Sequence, residues 1–157
     1  MIAAPHMIVG AIIGDLIQNC PLAFLAGMGS HFIFDAIPHL EQSVFMKKED
    51  VENFRLSKKM LIFEFFEVFV GLLLVFWIFF IKDRNLAILW GALGAIFPDL
   101  IDNVPFWSLS LRRLPVFKQF HWFHSRIHSP LKKKYWIFGV PVYIIIIGIA
   151  LWVIINF

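Results

Sequence analysis

The chain has 157 residues, of which 60% are hydrophobic, 17% aromatic and 16% charged, with a formal net charge of +3. At a mean hydropathy of +0.79, a soluble domain of this length cannot hide its apolar surface, because most residues of a small domain touch that surface. The composition points to an integral membrane protein. The single cysteine, Cys20, excludes an internal disulfide and a cysteine-rich zinc site. The basic balance fits membrane topology better than nucleic-acid binding, since basic residues flank membrane spans.

Residues 2–19 form a short apolar segment, with Pro5 and His6 at its start and Gly10, Gly14 and Asp15 inside. No basic region precedes it, so no cleavable signal peptide is expected. Asn19-Cys20-Pro21 reads as a turn. Residues 22–37 form a second apolar segment carrying His31 and Asp35, which share a face at helical spacing. Pro38 disfavours helix at Ile37, so the helix is expected to end there with His39 at its mouth. Residues 40–59 are polar and read as a surface loop or an amphipathic helix. Residues 60–81 reach the roughly 20 residues a span needs and carry Glu64 and Glu67 in the first two turns. Lys82-Asp83-Arg84-Asn85 is a tight polar connection. Residues 86–104 are rich in small residues (Gly91, Ala92, Gly94, Ala95) that suit close helix packing in lipid, and end in Pro98-Asp99-Leu100-Ile101-Asp102. Residues 105–134 read as a basic, aromatic loop holding His121, His124 and His128. Residues 135–155 are uncharged and form the clearest span, with a kink expected at Pro141.

The predicted fold is therefore a single all-α domain over residues 1–157, a polytopic bundle of about five membrane segments. Alternation across the membrane brings His6, His31, Asp35, His39, Glu64, Glu67, Asp99, Asp102 and the histidine loop to one side, here called side A. Twelve of the 14 basic residues fall on side A, and Lys82 and Arg84 alone on side B. That bias puts side A, and the N-terminus, in the cytoplasm. A short internal echo relates residues 10–21 to 94–105, equating Asp15 with Asp99. It reads as a duplicated hairpin but conflicts with alternation, which leaves Asp15 near side B and out of the site.

Ionisable groups inside a bilayer are functional candidates, and the alternative for Asp35 and Asp99 is a hydrogen bond to a neighbouring helix. A lone histidine is more often a satisfied core residue, but His31 has Asp35 beside it. His6 also suits a membrane interface, and Glu64 and Glu67 also suit the helix dipole at the start of their segment. His121, His124 and His128 share a face if their segment is helical. With His6, His31, Asp35, His39 and Asp99 they supply N and O donors for one or two divalent ions, Zn first, then Mn or Fe. A His/carboxylate set without thiolates fits a catalytic site better than a closed structural zinc. Asp99, Asp102 or Glu64 could orient a water or act as general base.

Three stretches carry a resemblance. Gly27-Met-Gly-Ser30-His31-Phe-Ile-Phe-Asp35, Phe97-Pro98-Asp99-Leu-Ile-Asp102 and His124-Ser-Arg-Ile-His128-Ser129 resemble motifs of the bacterial inner-membrane metal-dependent hydrolases, a family known for a LexA-regulated member. The elements are also similar to those of zinc-dependent phospholipase C-type proteins. The motif order is permuted here, the H-R-G-x-T-H-S element is degenerate, and Asn103 stands where the family has a His after its aspartates. The resemblance implies that His6, His31, Asp35, Asp99, Asp102, His124 and His128 ligate metal or support the ligands. It also implies hydrolysis of an ester or phosphoester, lipid-like or small, at the cytoplasmic face of the inner membrane. Membrane di-iron oxidases or hydroxylases, metal carriers and structural membrane proteins are the other classes open to such a sequence.

Overall fold

The computed structural model describes residues 3–40, 46, 50 and 57–156, apart from the side chains of Trp136 and Leu151. Most of the polar stretch 40–59, including Lys47, Lys48 and Arg55, lies outside the described residues. Among the described residues, seven α-helices of four residues or more follow in order: α1 Ala3–Ile17, α2 Cys20–Ala36, α3 Lys58–Ile81, α4 Leu86–Asp102, α5 Ser108–Leu111, α6 Pro115–Ile127 and α7 Trp136–Asn156. Among the described residues there is no strand beyond one isolated bridge between His39 and Pro130.

Local chemistry sets the boundaries. Gln18 turns the chain with φ 55°. The side chain of Asn19 then accepts from Leu22 N and caps α2, whose first turn tolerates Pro21. Ahead of Pro38, Ile37 is extended and ends α2. Ser57 and Asn85 cap α3 and α4 in the same way as Asn19. The stretch read as a loop at 105–134 contains α5 and α6. Here α6 starts on Pro115 and stops at Ile127, so His128 is extended and lies just past the helix.

The five expected membrane segments are not five helices of spanning length. Among the described residues, two helices are long and apolar enough to cross a membrane, Lys58–Ile81 and Ile137–Asn156. The other three, α1, α2 and α4, are 15, 17 and 17 residues long, about 22–26 Å of rise.

The short helices pack through a seam of small residues. A Cβ on Gly91 of α4 would lie 2.1 Å from the Gly10 carbonyl oxygen of α1, and one on Gly94 would lie 2.1 Å from the Phe24 carbonyl oxygen of α2. Only glycine permits backbones this close. Beside the seam, Met7, Ile8, Ala11, Val75, Ile78, Ile88 and Ala92 form an apolar core that also takes in Ala150 and Ile154 of α7.

Glu67 of α3 caps α1, accepting from Ala3 N at 3.0 Å and Ala4 N at 2.5 Å. These are donors a helix start cannot satisfy itself. At the other end of α1, Asp15 pairs with Lys82 at 3.7 Å. The echo that equates Asp15 with Asp99 thus joins residues at opposite ends of the bundle.

Candidate metal centre

The cluster assembles around Asp35, which is fully buried in the last turn of α2. One oxygen, Oδ1, lies 3.2 Å from His6 Nε2. The other, Oδ2, lies 3.1 Å from His31 Nε2, 3.2 Å from His124 Nε2 and 3.7 Å from His128 Nε2. Asp99 Oδ1 lies 3.8 Å from both His31 Nε2 and His124 Nε2. His39 packs its ring edge-on against His128, with centroids 4.7 Å apart. Three overlapping groups have ligand atoms close enough for one ion each: His6, His31 and Asp99; His31, Asp35 and His124; and Asp35, His39 and His128.

Each donor reaches this point through an identifiable contact. His31 and Asp35 are one helical turn apart. His6 stacks on His31 with ring centroids 4.2 Å apart, a position fixed by the close approach of α1 to α4. The segment after α6 is zipped to the end of α2: Ser129 N donates to Asp35 O at 2.9 Å, and Leu131 N donates to His39 O at 2.8 Å. This pairing sets His39 beside His128. The amide of Asn103, at the position where the resembled family has a His, donates to Asp99 Oδ1 at 2.6 Å.

Hydrogen bonds at the far nitrogens settle where the protons sit. His31 Nδ1 donates to Ala95 O at 2.7 Å, His39 Nδ1 to Ile37 O at 2.8 Å, and His124 Nδ1 to Asp102 Oδ2 at 3.0 Å. Each ring, when neutral, then turns a bare Nε2 lone pair to the cluster. The Nε2 atoms of His31 and His124 are 3.2 Å apart. Two lone pairs facing each other beside a carboxylate repel unless a cation sits among them. His39 Nε2 is buried and has no hydrogen-bond partner among the described residues, and the same holds for His6 Nδ1. A buried nitrogen without a partner is costly. The donors therefore fit a divalent metal, and histidines anchored at Nδ1 by carbonyls and a carboxylate are how proteins orient such ligands.

Protonation outside the membrane segments follows burial and charge. Burial pushes His39 down to about 4 and His128 down to about 3. For His124 burial also pushes downward, but the hydrogen bonds to Asp102 and Asp35 outweigh it and hold the ring up at about 9. In the metal-free protein a proton on His124 supplies the missing cation.

The remaining predicted residues sit around this core. Asp102 contacts His124 at Nδ1, away from the cluster. It also accepts from Arg112 Nε at 2.8 Å and lies 2.9 Å from His121 Nδ1. Asp102 therefore orients His124, in keeping with the supporting role the resemblance allowed it, and is held in turn by Arg112, which the sequence reading did not single out. His121, whose side chain is 37% exposed, stands behind Asp102 and belongs to none of the three donor groups. Glu64 lies within charge–charge reach of Asp99. No protein family, curated protein or solved structure matches the chain.

Proposed function

We propose that this chain is an integral-membrane, metal-dependent hydrolase acting on an ester or phosphoester at the cytoplasmic face of a bacterial inner membrane. The observation that carries the reading is the pair of facing Nε2 atoms of His31 and His124 beside Asp35 Oδ2. An N/O donor set without thiolate suits Zn, with Mn or Fe as alternatives, and Asp35 can serve one or two ions through its two oxygens. Cys20, at the start of α2, is far from it along the helix.

His6, His31, Asp35, His39, Asp99, His124 and His128 would hold the metal. When bound, it supplies Lewis acidity to the scissile group and lowers the pKa of a water. Asp99 is partly exposed where Asp35 is not, so it is the carboxylate best placed to exchange a proton with substrate or solvent. Glu64 is the second such carboxylate. Asp102 and Arg112 fix the tautomer and position of His124. The motifs that resemble the inner-membrane metal-dependent hydrolases contribute six of these residues: His31, Asp35, Asp99, Asp102, His124 and His128.

The membrane reading rests on exposed apolar side chains, such as Phe65 at 75% and Ile155 at 76%, on the two helices of spanning length. Both helices start at the cluster end, because Glu67 caps α1 there and Tyr143 Oη donates to Leu40 O. The chain must return between them, and α4 does so. The short helices would cross by local thinning of the bilayer.

The test is hydrolysis of a chromogenic phosphodiester and a chromogenic ester by purified protein in detergent. Turnover should vanish with chelator and return with Zn. His31→Ala and Asp35→Asn should each lower bound metal and turnover by at least about tenfold. Asp15→Asn, at the other end of α1, should do neither. Turnover that survives chelation and both substitutions would overturn the reading, and a protein that holds iron alone would point to an oxidase.

A further inference from the structure

The histidines of the cluster rest on two kinds of backbone. His6, His31 and His124 ride on α1, α2 and α6. His39 and His128 lie just past the ends of α2 and α6, on non-helical chain. A short parallel pairing holds these two side by side: His39 N donates to Ser129 O at 3.3 Å, and Leu131 N donates to His39 O at 2.8 Å. A lone two-stranded pairing is marginal in water and needs packing against something else. Here that support comes from α7. The half-buried Tyr143 donates its hydroxyl to Leu40 O, the carbonyl next after that of His39. One turn earlier, on the same face of α7, Leu40 sits against the bare backbone of Gly139. A Cβ on Gly139 would lie 2.6 Å from Leu40 Cβ, 3.0 Å from Leu40 N and 3.2 Å from Leu131 Cδ1. The helix therefore touches both sides of the pairing, Leu40 on one and Leu131 on the other.

We propose that α7 latches the metal centre, with Tyr143 as a positioning residue that keeps His39 and His128 against Asp35. This inference rests on the metal reading of the site and gives a spanning helix without any of the donors a part in holding it. With the latch closed, the Leu40 carbonyl is fixed and His39 O stays in register with Leu131 N. The His39 ring, anchored at Nδ1 on Ile37 O at 2.8 Å, then keeps Nε2 turned to the cluster. With the latch open, the short pairing alone holds the two rings, while His31 and His124 stay on their helices. The coupling is reciprocal: an ion that draws His39 and His128 toward Asp35 closes the latch by as much as the latch favours the ion.

The experiment titrates Zn into metal-stripped, full-length protein in detergent against a chromogenic chelator. Amide exchange of the peptide spanning residues 128–135 is followed by mass spectrometry with and without Zn. Tyr143→Phe removes one hydrogen bond and should weaken Zn binding about five- to tenfold. The same change should speed exchange in the metal-free peptide, and Zn should restore its protection. Gly139→Ala puts a methyl where Leu40 stands and should weaken Zn binding too, although alanine favours helix over glycine. Tyr135→Phe, on a ring that is 44% exposed, should change neither readout. In a background carrying both His39→Ala and His128→Ala, Tyr143→Phe should weaken Zn by less than about twofold, because it has no ring left to position. An unchanged Zn affinity in Tyr143→Phe overturns the proposal. So does a loss as large in the double-alanine background, which would make Tyr143 a general prop of the fold. Turnover of the chromogenic esters separates this inference from the hydrolase reading. Protein that hydrolyses them while Tyr143→Phe binds Zn normally loses the latch and keeps the hydrolase. Protein that shows the latch effects on Zn but hydrolyses neither substrate keeps the latch and loses the hydrolase.

Discussion

Asp102 and His124 show how a residue can act on the cluster without facing it. The Asp102 carboxylate meets His124 at Nδ1 and Arg112 on its other side, which leaves Nε2 bare toward Asp35. Asp102→Ala removes the anchor and lets the ring turn or change tautomer. Metal affinity, measured by competition with a chromogenic chelator, should fall about 10–100-fold. The proton on His124 gives a second expectation. Its pKa stands at about 9 against an ordinary 6.5. The raised value stabilises the metal-free fold fully below 6.5, and that contribution is lost as pH rises through about 9. Chelator-treated protein should therefore melt at lower temperature as pH climbs from about 7 to about 10. His39 and His128 are held below the ordinary value, so they titrate outside that window. Metal uptake should run the opposite way, strengthening up to about tenfold per pH unit below the His124 pKa, because the ion displaces the proton. A melting temperature that rises with pH in metal-free protein would contradict this account of His124.

At the scale of the helices, the site depends on how closely α4 sits against α1 and α2. Gly91 is eight residues from Asp99, about 12 Å along the helix, and touches no donor. Its carbonyl would nonetheless lie 2.3 Å from a Cβ on Gly10 and 2.2 Å from one on Gly27. Gly91→Leu must push α4 away and carry Asp99 and the Ala95 carbonyl off His31. We expect it to lower thermal stability and to cut bound metal along with it, whereas Gly29→Ala, with open space around it, should change neither. The sequence made part of this legible. The spacing of His31 and Asp35 is local, and the run of small residues in α4 is plain. His6 and His39 join the cluster through the α1–α4 seam and the backbone pairing of His39 with the segment at 129–131, and these are tertiary contacts that no local pattern encodes. For the same reason the sequence did not distinguish Asp102 as an anchor from Asp102 as a catalyst, or show that Glu67 caps α1. The expected segments at 2–19 and 86–104 ran two residues past the true ends at Ile17 and Asp102, and those at 22–37 and 60–81 began two residues late, because hydropathy counts apolar residues and is blind to the caps at Asn19 and Ser57.

For the whole molecule, the two long helices run in the same direction from the cluster end, and the pair Asp15–Lys82 marks the opposite end. The basic residues Lys58, Lys59, Arg112, Arg113, Lys118, Arg126 and Lys132 to Lys134 all belong to the cluster end, whereas Lys82 and Arg84 lie between α3 and α4. The cluster should therefore face the cytoplasm. Reporter fusions after Phe157 and within residues 47–59 should give opposite signals, with the C-terminal fusion on the far side. If both report the cytoplasm, α4 does not return across the membrane.

The central claim is that the Nε2 atoms around Asp35 converge on a metal. X-ray absorption at the metal edge of purified protein, with elemental analysis of the same sample, tests it most directly. The account expects one or two ions per chain, with N and O neighbours at about 2.0–2.2 Å for zinc, imidazole outer-shell scattering and no sulfur. Protein free of metal after gentle purification, or an ion bound through the sulfur of Cys20, would contradict it.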